Sequence, residues 1–90
     1  MPHSLSARKR MRQNVQQRER NRVIKSRIRT AGRAFLEAVD AGDLDAAGRR
    51  LRVAERLLHR AANNGPIHRN LAAREISRMQ RRLNAAAAPN

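Results

Sequence analysis

Residues 43–62, DLDAAGRRLRVAERLLHRAA, carry the most regular apolar pattern in the chain. Asp43 stands directly before this pattern as a candidate N-cap, and Asp45 in the first turn suits the positive end of a helix dipole. The apolar residues recur at alternating spacings of three and four, which is typical of an amphipathic helix: Leu44, Ala47, Leu51, Ala54, Leu58 and Ala61. The stretch predicts a helix over residues 44–62 whose apolar face must be covered by the rest of the chain.

Two further helices are predicted, one on each side. Upstream, Ser6 is the candidate N-cap of a helix over residues 7–41, with an apolar stripe at Ile24, Ile28, Ala31, Phe35, Ala38 and Val39. Downstream, the stop signal at residues 63–66 precedes a helix over residues 67–85, with a stripe at Ala72, Ile76, Met79 and Leu83. We expect an all-α antiparallel three-helix bundle, forming one domain over residues 1–90 with an N-terminal tail at 1–6 and a short frayed end after residue 85.

The first helix is too long for the bundle. Its ~35 residues span ~52 Å, whereas the ~19 residues of the second span ~28 Å, so about 25 Å must overhang. We call residues 7–22 the overhang; they carry no apolar stripe. Arg8 and Arg12 lie four residues apart and repel each other, and a helix that is polar all round is not stable alone. We therefore predict that the overhang frays in the free protein and becomes ordered on a polyanion.

The charge is strongly positive and unevenly distributed. The chain has 21 Lys and Arg residues, 19 of them Arg, against 7 acids, for a net charge of +14. Residues 1–33 carry net +10, residues 34–48 net −4, and residues 49–90 net +8. Because such charge repels itself in a compact protein, a polyanion is expected as partner, either nucleic acid or an anionic membrane. The preference for Arg over Lys fits codon bias in a GC-rich genome, but the total fits binding.

Several classes are excluded. The chain lacks Cys, and Phe35 is its only aromatic residue, so Cys-based zinc sites and domains that stack bases on aromatics do not fit. No stretch is apolar enough to span a membrane or to form the core of a signal peptide. The His and Ser residues show no metal-ligand or nucleophile motif, and the acids at 37–45 fit helix capping better than a calcium loop. We predict that the protein is not an enzyme and has no cofactor.

Nucleic-acid contacts are expected on the overhang and on the third helix. The overhang offers cations and amide donors suited to phosphates, 2′-hydroxyls and base edges: Arg8, Lys9, Arg10, Arg12, Gln13, Asn14, Gln16, Gln17, Arg18, Arg20, Asn21 and Arg22. The third helix offers Arg69, Arg74, Arg78, Arg81 and Arg82. Arg49, Arg52, Arg56 and Arg60 fit a solvated face of the second helix as well as a binding face. His68 and the neighbouring Asn70 could either contact RNA or cap a turn.

Three alternatives compete with RNA binding. Composition alone fits a histone-like DNA-binding protein, although no helix-turn-helix spacing is visible. A membrane-active helix needs a large apolar face, which the overhang lacks. A transit peptide is also rich in Arg, but this segment is poor in Ser and only weakly amphipathic.

Three blocks of sequence, in this order, resemble the bacterial family of small-subunit ribosomal protein number twenty over nearly the whole chain. The first comprises Ser6-Ala7-Arg8-Lys9-Arg10, Arg12-Gln13-Asn14, Arg20-Asn21, Lys25-Ser26 and Arg29-Thr30. The second is Ala41-Gly42-Asp43. The third comprises residues 64–70, Ala72-Ala73-Arg74, Ser77-Arg78 and Arg82-Leu83-Asn84. Leu5 stands where the family usually has a polar or basic residue, and Glu75 stands where it usually has a basic one.

The resemblance implies a three-helix bundle with an extended first helix, located in the cytoplasmic small ribosomal subunit of a bacterium. It implies direct binding to the 5′ domain and to the long penultimate stem of the 3′ minor domain of the small-subunit rRNA, bridging them during assembly. To the RNA-binding residues it adds Ser6, Lys25, Ser26, Arg29, Thr30, His68, Asn70 and Ser77. Other ribosomal components are partners by proximity; no membrane, small-molecule substrate or homo-oligomer is expected.

Overall fold

The computed structural model describes residues 4–88 as three helices with no strand among them. The helices are α1 (Leu5–Asp40), α2 (Leu44–Asn64) and α3 (Arg69–Ala87). This confirms the predicted all-α bundle with a long first helix. Residues 1–3 of the predicted tail, and Pro89 and Asn90 of the predicted frayed end, lie outside the described residues.

The N-cap of α1 is Ser4, so the prediction of Ser6 is wrong. Ser4 has extended backbone angles, and its hydroxyl oxygen accepts a hydrogen bond from the Ala7 amide at 3.1 Å. Ser6 already lies in the first turn, where its hydroxyl is 3.4 Å from that of Ser4. The helix therefore begins two residues earlier than predicted.

A three-residue turn joins α1 to α2. Gly42 adopts a φ of +76°, which residues with a side chain rarely adopt, and its amide donates to the carbonyl of Val39. Asp43 then caps α2, because its Oδ1 accepts from the Ala46 amide at 3.0 Å. Asp43, the last residue of the turn, thus has the predicted capping role.

The second turn lies two residues later than predicted, so α2 ends later and α3 begins later. Gly65 has a φ of +100° and donates to the carbonyl of Ala61, which ends α2 at Asn64 rather than at 62. The N-cap of α3 is His68, so that helix begins at Arg69, later than the predicted 67. Its C-terminus extends to Ala87, beyond the predicted residue 85, because the terminal alanines are strong helix formers.

The core lies at the end where α1 meets α2. Phe35 is fully buried and packs with Ala47 and Leu51, while Met79 and Leu83 of α3 pack against this cluster. Toward the second turn the buried positions continue along the predicted seam of α2 and reach α3: Ala54, Leu58, Ala61 and Ala72. The periodicity of residues 44–62 therefore identified the face of α2 that is buried.

The helices form an elongated molecule rather than a sphere. The Cα radius of gyration is 17.8 Å and the longest dimension is 67 Å, whereas a compact chain of this length would have a radius of gyration of about 12 Å. Helix α2 packs against both α1 and α3, while α1 and α3 barely contact each other. The first half of α1 projects past the α2–α3 turn with no other helix beside it.

Candidate nucleic-acid interface

The predicted binding residues of the overhang are exposed, apart from a half-buried Asn21. Every residue from 8 to 20 is exposed, because neither α2 nor α3 reaches this part of α1. The cations there therefore face solvent around the whole circumference of the helix. A ligand could contact this segment from several sides.

The overhang is one continuous helix with the packed half of α1. Ser4 caps its first turn, and Arg22 donates to Glu19 Oε2 at 3.0 Å, one turn apart. Both side chains of this pair are exposed, so it contributes little stability. Because neither α2 nor α3 packs against the overhang, its fraying in the free protein stays a prediction, which circular dichroism with and without rRNA tests.

The second half of α1 presents its predicted residues on two sides. Lys25 and Arg29 line a groove between α1 and α3, together with His68. Ser26 and Thr30 line a separate depression between α1 and α2. The Thr30 hydroxyl donates to the Ser26 carbonyl at 3.0 Å, so its proton is used within the helix and its oxygen is left as an acceptor.

The basic residues of α3 form a second exposed set. Arg69, Arg74, Arg81 and Arg82 are exposed, and so is Arg78, one nitrogen of which lies 3.9 Å from Glu75. Ser77 is half-buried, so it is less accessible than the sequence suggested. The overhang and α3 are thus two basic surfaces joined by the groove.

His68 caps α3. Its Nδ1 accepts a hydrogen bond from the Asn70 amide at 3.0 Å, which satisfies one of the free amides at the helix start. Of the two roles that the sequence left open, capping is the one seen in the structure. His68 is also exposed and lines the groove.

Replacing His68 with Ala is expected to lower the free energy of unfolding by about 0.5–2 kcal/mol, the usual cost of losing an N-cap. His68→Ser keeps an acceptor for the Asn70 amide and should restore most of that loss. Urea unfolding of both variants measures the difference. Equal destabilisation by Ala and Ser would contradict a capping role.

Arg49, Arg52, Arg56 and Arg60 are exposed on α2, so both interpretations of that face stay open. No His, Cys, Asp or Glu residues of the described part of the chain are grouped so that they could hold a metal ion. None of the three helices is long and apolar enough to cross a bilayer.

Sequence reasoning from periodicity and charge missed Arg33. It lines the same groove as Lys25 and Arg29, one helical turn further along α1. The i, i+4, i+8 spacing of these three cations was a usable signal, but the groove depends on where α3 lies, and that is not visible in the sequence.

An extended all-α molecule with two exposed basic surfaces is typical of the class of proteins that bind polyanions. Comparison with known proteins specifies the family. The model of the family described as "Ribosomal protein S20" matches residues 2–84. The chain therefore belongs to the ribosomal protein S20 family, which confirms the family that the sequence blocks indicated and the prediction that it is not an enzyme.

Individual relatives match along nearly their full lengths. The protein of Cutibacterium acnes named small ribosomal subunit protein bS20 is 44% identical over 88 residues, covering 98% of this chain and 100% of the relative. The proteins of that name from Rhodopirellula baltica and Nocardia farcinica are 44% identical over 87 residues and 48% identical over 77 residues. These matches cover 97% and 86% of this chain, and 97% and 90% of the two relatives.

Proposed function

We propose that the protein is a structural constituent of the cytoplasmic small ribosomal subunit and binds its rRNA directly through the overhang and α3. The observation that carries this proposal is the exposed, unpacked overhang, with its run of cations, in a chain of the S20 family. The relatives are named as proteins of the small ribosomal subunit. RNA supplies the negative charge that net +14 requires.

The two basic surfaces suit contact with more than one RNA element. The overhang extends along the long axis of a 67 Å molecule, while the α3 arginines lie beside the bundle. One RNA helix against each surface would be held at a fixed separation by the rigid bundle. We propose that these elements are the 5′ domain and the penultimate stem of the 3′ minor domain, bridged during subunit assembly.

The RNA contacts that we propose are the residues predicted from the sequence at Ser6, on the overhang, on the second half of α1 and around α3, and most of them are exposed. Phosphate binding by Arg uses two parallel donors on a planar group. Gln13, Asn14 and Gln17 lie among these cations, where they can reach 2′-hydroxyls that distinguish RNA from DNA. His68 would contribute through Nε2, because Nδ1 is used in the cap.

Competition binding tests the proposal. Labelled small-subunit rRNA bound to the protein is challenged at physiological salt with unlabelled rRNA and with random duplex DNA. We expect rRNA to compete at least about a hundredfold better, because specific complexes exceed non-specific ones by wide margins. Equal competition would identify a general polyanion binder, in line with the histone-like alternative.

A further inference from the structure

A groove of about 870 Å³ runs between α1 and α3, with α2 beneath it. It exists because α2 packs against both neighbours while α1 and α3 barely contact each other. Ala54 and Leu58 line it from α2, and Leu71 and Met79 line it from α3. Leu71 is 41% exposed. The groove is therefore open and has an apolar floor.

The wall that α1 contributes to this groove is basic. Lys25, Arg29 and Arg33 line it at intervals of four residues, so they form a row about 12 Å long at the rise of an α-helix. The only acid among the lining residues is Glu75, whose Oε1 lies 3.9 Å from Arg78 Nη1. The row thus favours an anionic occupant and repels a second copy of a chain with net charge +14.

Gly32 lies on the same wall. A Cβ built at this position would meet no atom within 4 Å, so packing inside the chain does not require glycine there. Glycine in a helix interior weakens the helix relative to alanine, but it lets another backbone approach closely. Gly32 therefore leaves space for a ligand backbone between Arg29 and Arg33.

We propose that this groove holds the sugar–phosphate edge of an RNA helix, which makes Arg33 and Gly32 part of the RNA-binding surface. This rests on the proposed function and specifies where one RNA strand lies. Phosphates would pair with the Lys25–Arg33 row, and ribose faces would lie toward the apolar floor, where excluded water strengthens the charge contacts. An acidic helix of another protein also matches the groove, but RNA is favoured because Lys25, Arg29 and Arg33 continue, along the same helix, the exposed cations of the overhang that we propose bind RNA.

Filling the groove tests the proposal. Gly32→Leu places a good helix former in open space, so the thermal unfolding midpoint should stay equal or rise. The dissociation constant for small-subunit rRNA should rise about tenfold, roughly the effect of losing one charge-assisted contact. Gly48→Leu is the matched control, because Gly48 also lies inside a helix with no atom within 4 Å of a built Cβ, yet does not line the groove.

Two variants that each remove one positive charge from α1 give an independent readout. Arg33→Gln should reduce the slope of log affinity against log salt by about one unit, as expected for one lost phosphate contact. Arg27→Gln removes the same charge from α1 but lies on the depression toward α2, so it should change the slope by less than half as much. Similar slopes for both variants would mean that the groove has no special role.

The outcomes separate this proposal from the function on which it rests. If the wild-type protein shows no preference for rRNA over duplex DNA, the proposed function fails. If it shows that preference and Gly32→Leu binds equally tightly, only the groove proposal is overturned. It is also overturned if Gly32→Leu keeps RNA affinity but loses binding of a synthetic Leu-rich helical peptide flanked by Glu.

Discussion

Replacing Arg8, Lys9, Arg10 and Arg12 together with Gln is expected to weaken binding to small-subunit rRNA by at least about a hundredfold at physiological salt. All four side chains are exposed on the overhang. The hydrogen bonds and ion pairs of the described residues involve none of these side chains, so their donors are free for phosphate. Four lost phosphate contacts should reduce the magnitude of the slope of log affinity against log salt by about three to four units.

The matched control removes equal charge elsewhere. The substituted residues, again replaced with Gln, are four of the five exposed arginines of α2: Arg49, Arg52, Arg56 and Arg60. Gln and Arg have similar helix propensities, so neither quadruple variant should lose helicity by circular dichroism. We expect the α2 variant to lose at most about tenfold in affinity, as a long-range effect of net charge. Equal losses would show that total charge, rather than the overhang, carries the binding.

The fold was predictable because the apolar residues of each helix recur at helical spacing along one face, and that face must be buried. The seam from Leu44 to Ala61 is helical and mostly buried, and Phe35 occupies the centre of the predicted stripe. Helix ends were less predictable because they depend on individual backbone angles. Ser4 and Ser6 are both suitable caps by residue type, and only the extended backbone at Ser4 decides between them.

The exposure of most predicted contact residues was also predictable, since a residue off the apolar stripe usually faces solvent, although Asn21 and Ser77 are half-buried. The groove was not, because its width depends on how far apart α2 holds α1 and α3. Arg33 and Arg27 have similar sequence surroundings, yet one lines the α3 side and the other the α2 side. Such distinctions arise from tertiary packing and carry no local signal.

Replacing Phe35 with Ala is expected to lower the free energy of unfolding by about 3–5 kcal/mol. Phe35 is the largest fully buried side chain, and several of the other buried residues are alanines, so little apolar area can compensate for its loss. A chain of 90 residues has a total stability of only about 5–13 kcal/mol. The thermal midpoint should therefore fall by about 15 °C or more, as measured by circular dichroism.

Val23→Ala is the control on the same helix, because Val23 is 43% exposed and its truncation should change stability by no more than about 0.5 kcal/mol. The overhang variant should likewise melt like the wild-type protein, since its substituted residues contact no other helix. Phe35→Ala should regain part of its midpoint when rRNA is added, because a ligand that binds only the folded chain stabilises it. A Phe35 variant that melts at the same temperature as the Val23 variant would place the stabilising contacts outside the α1–α2 core.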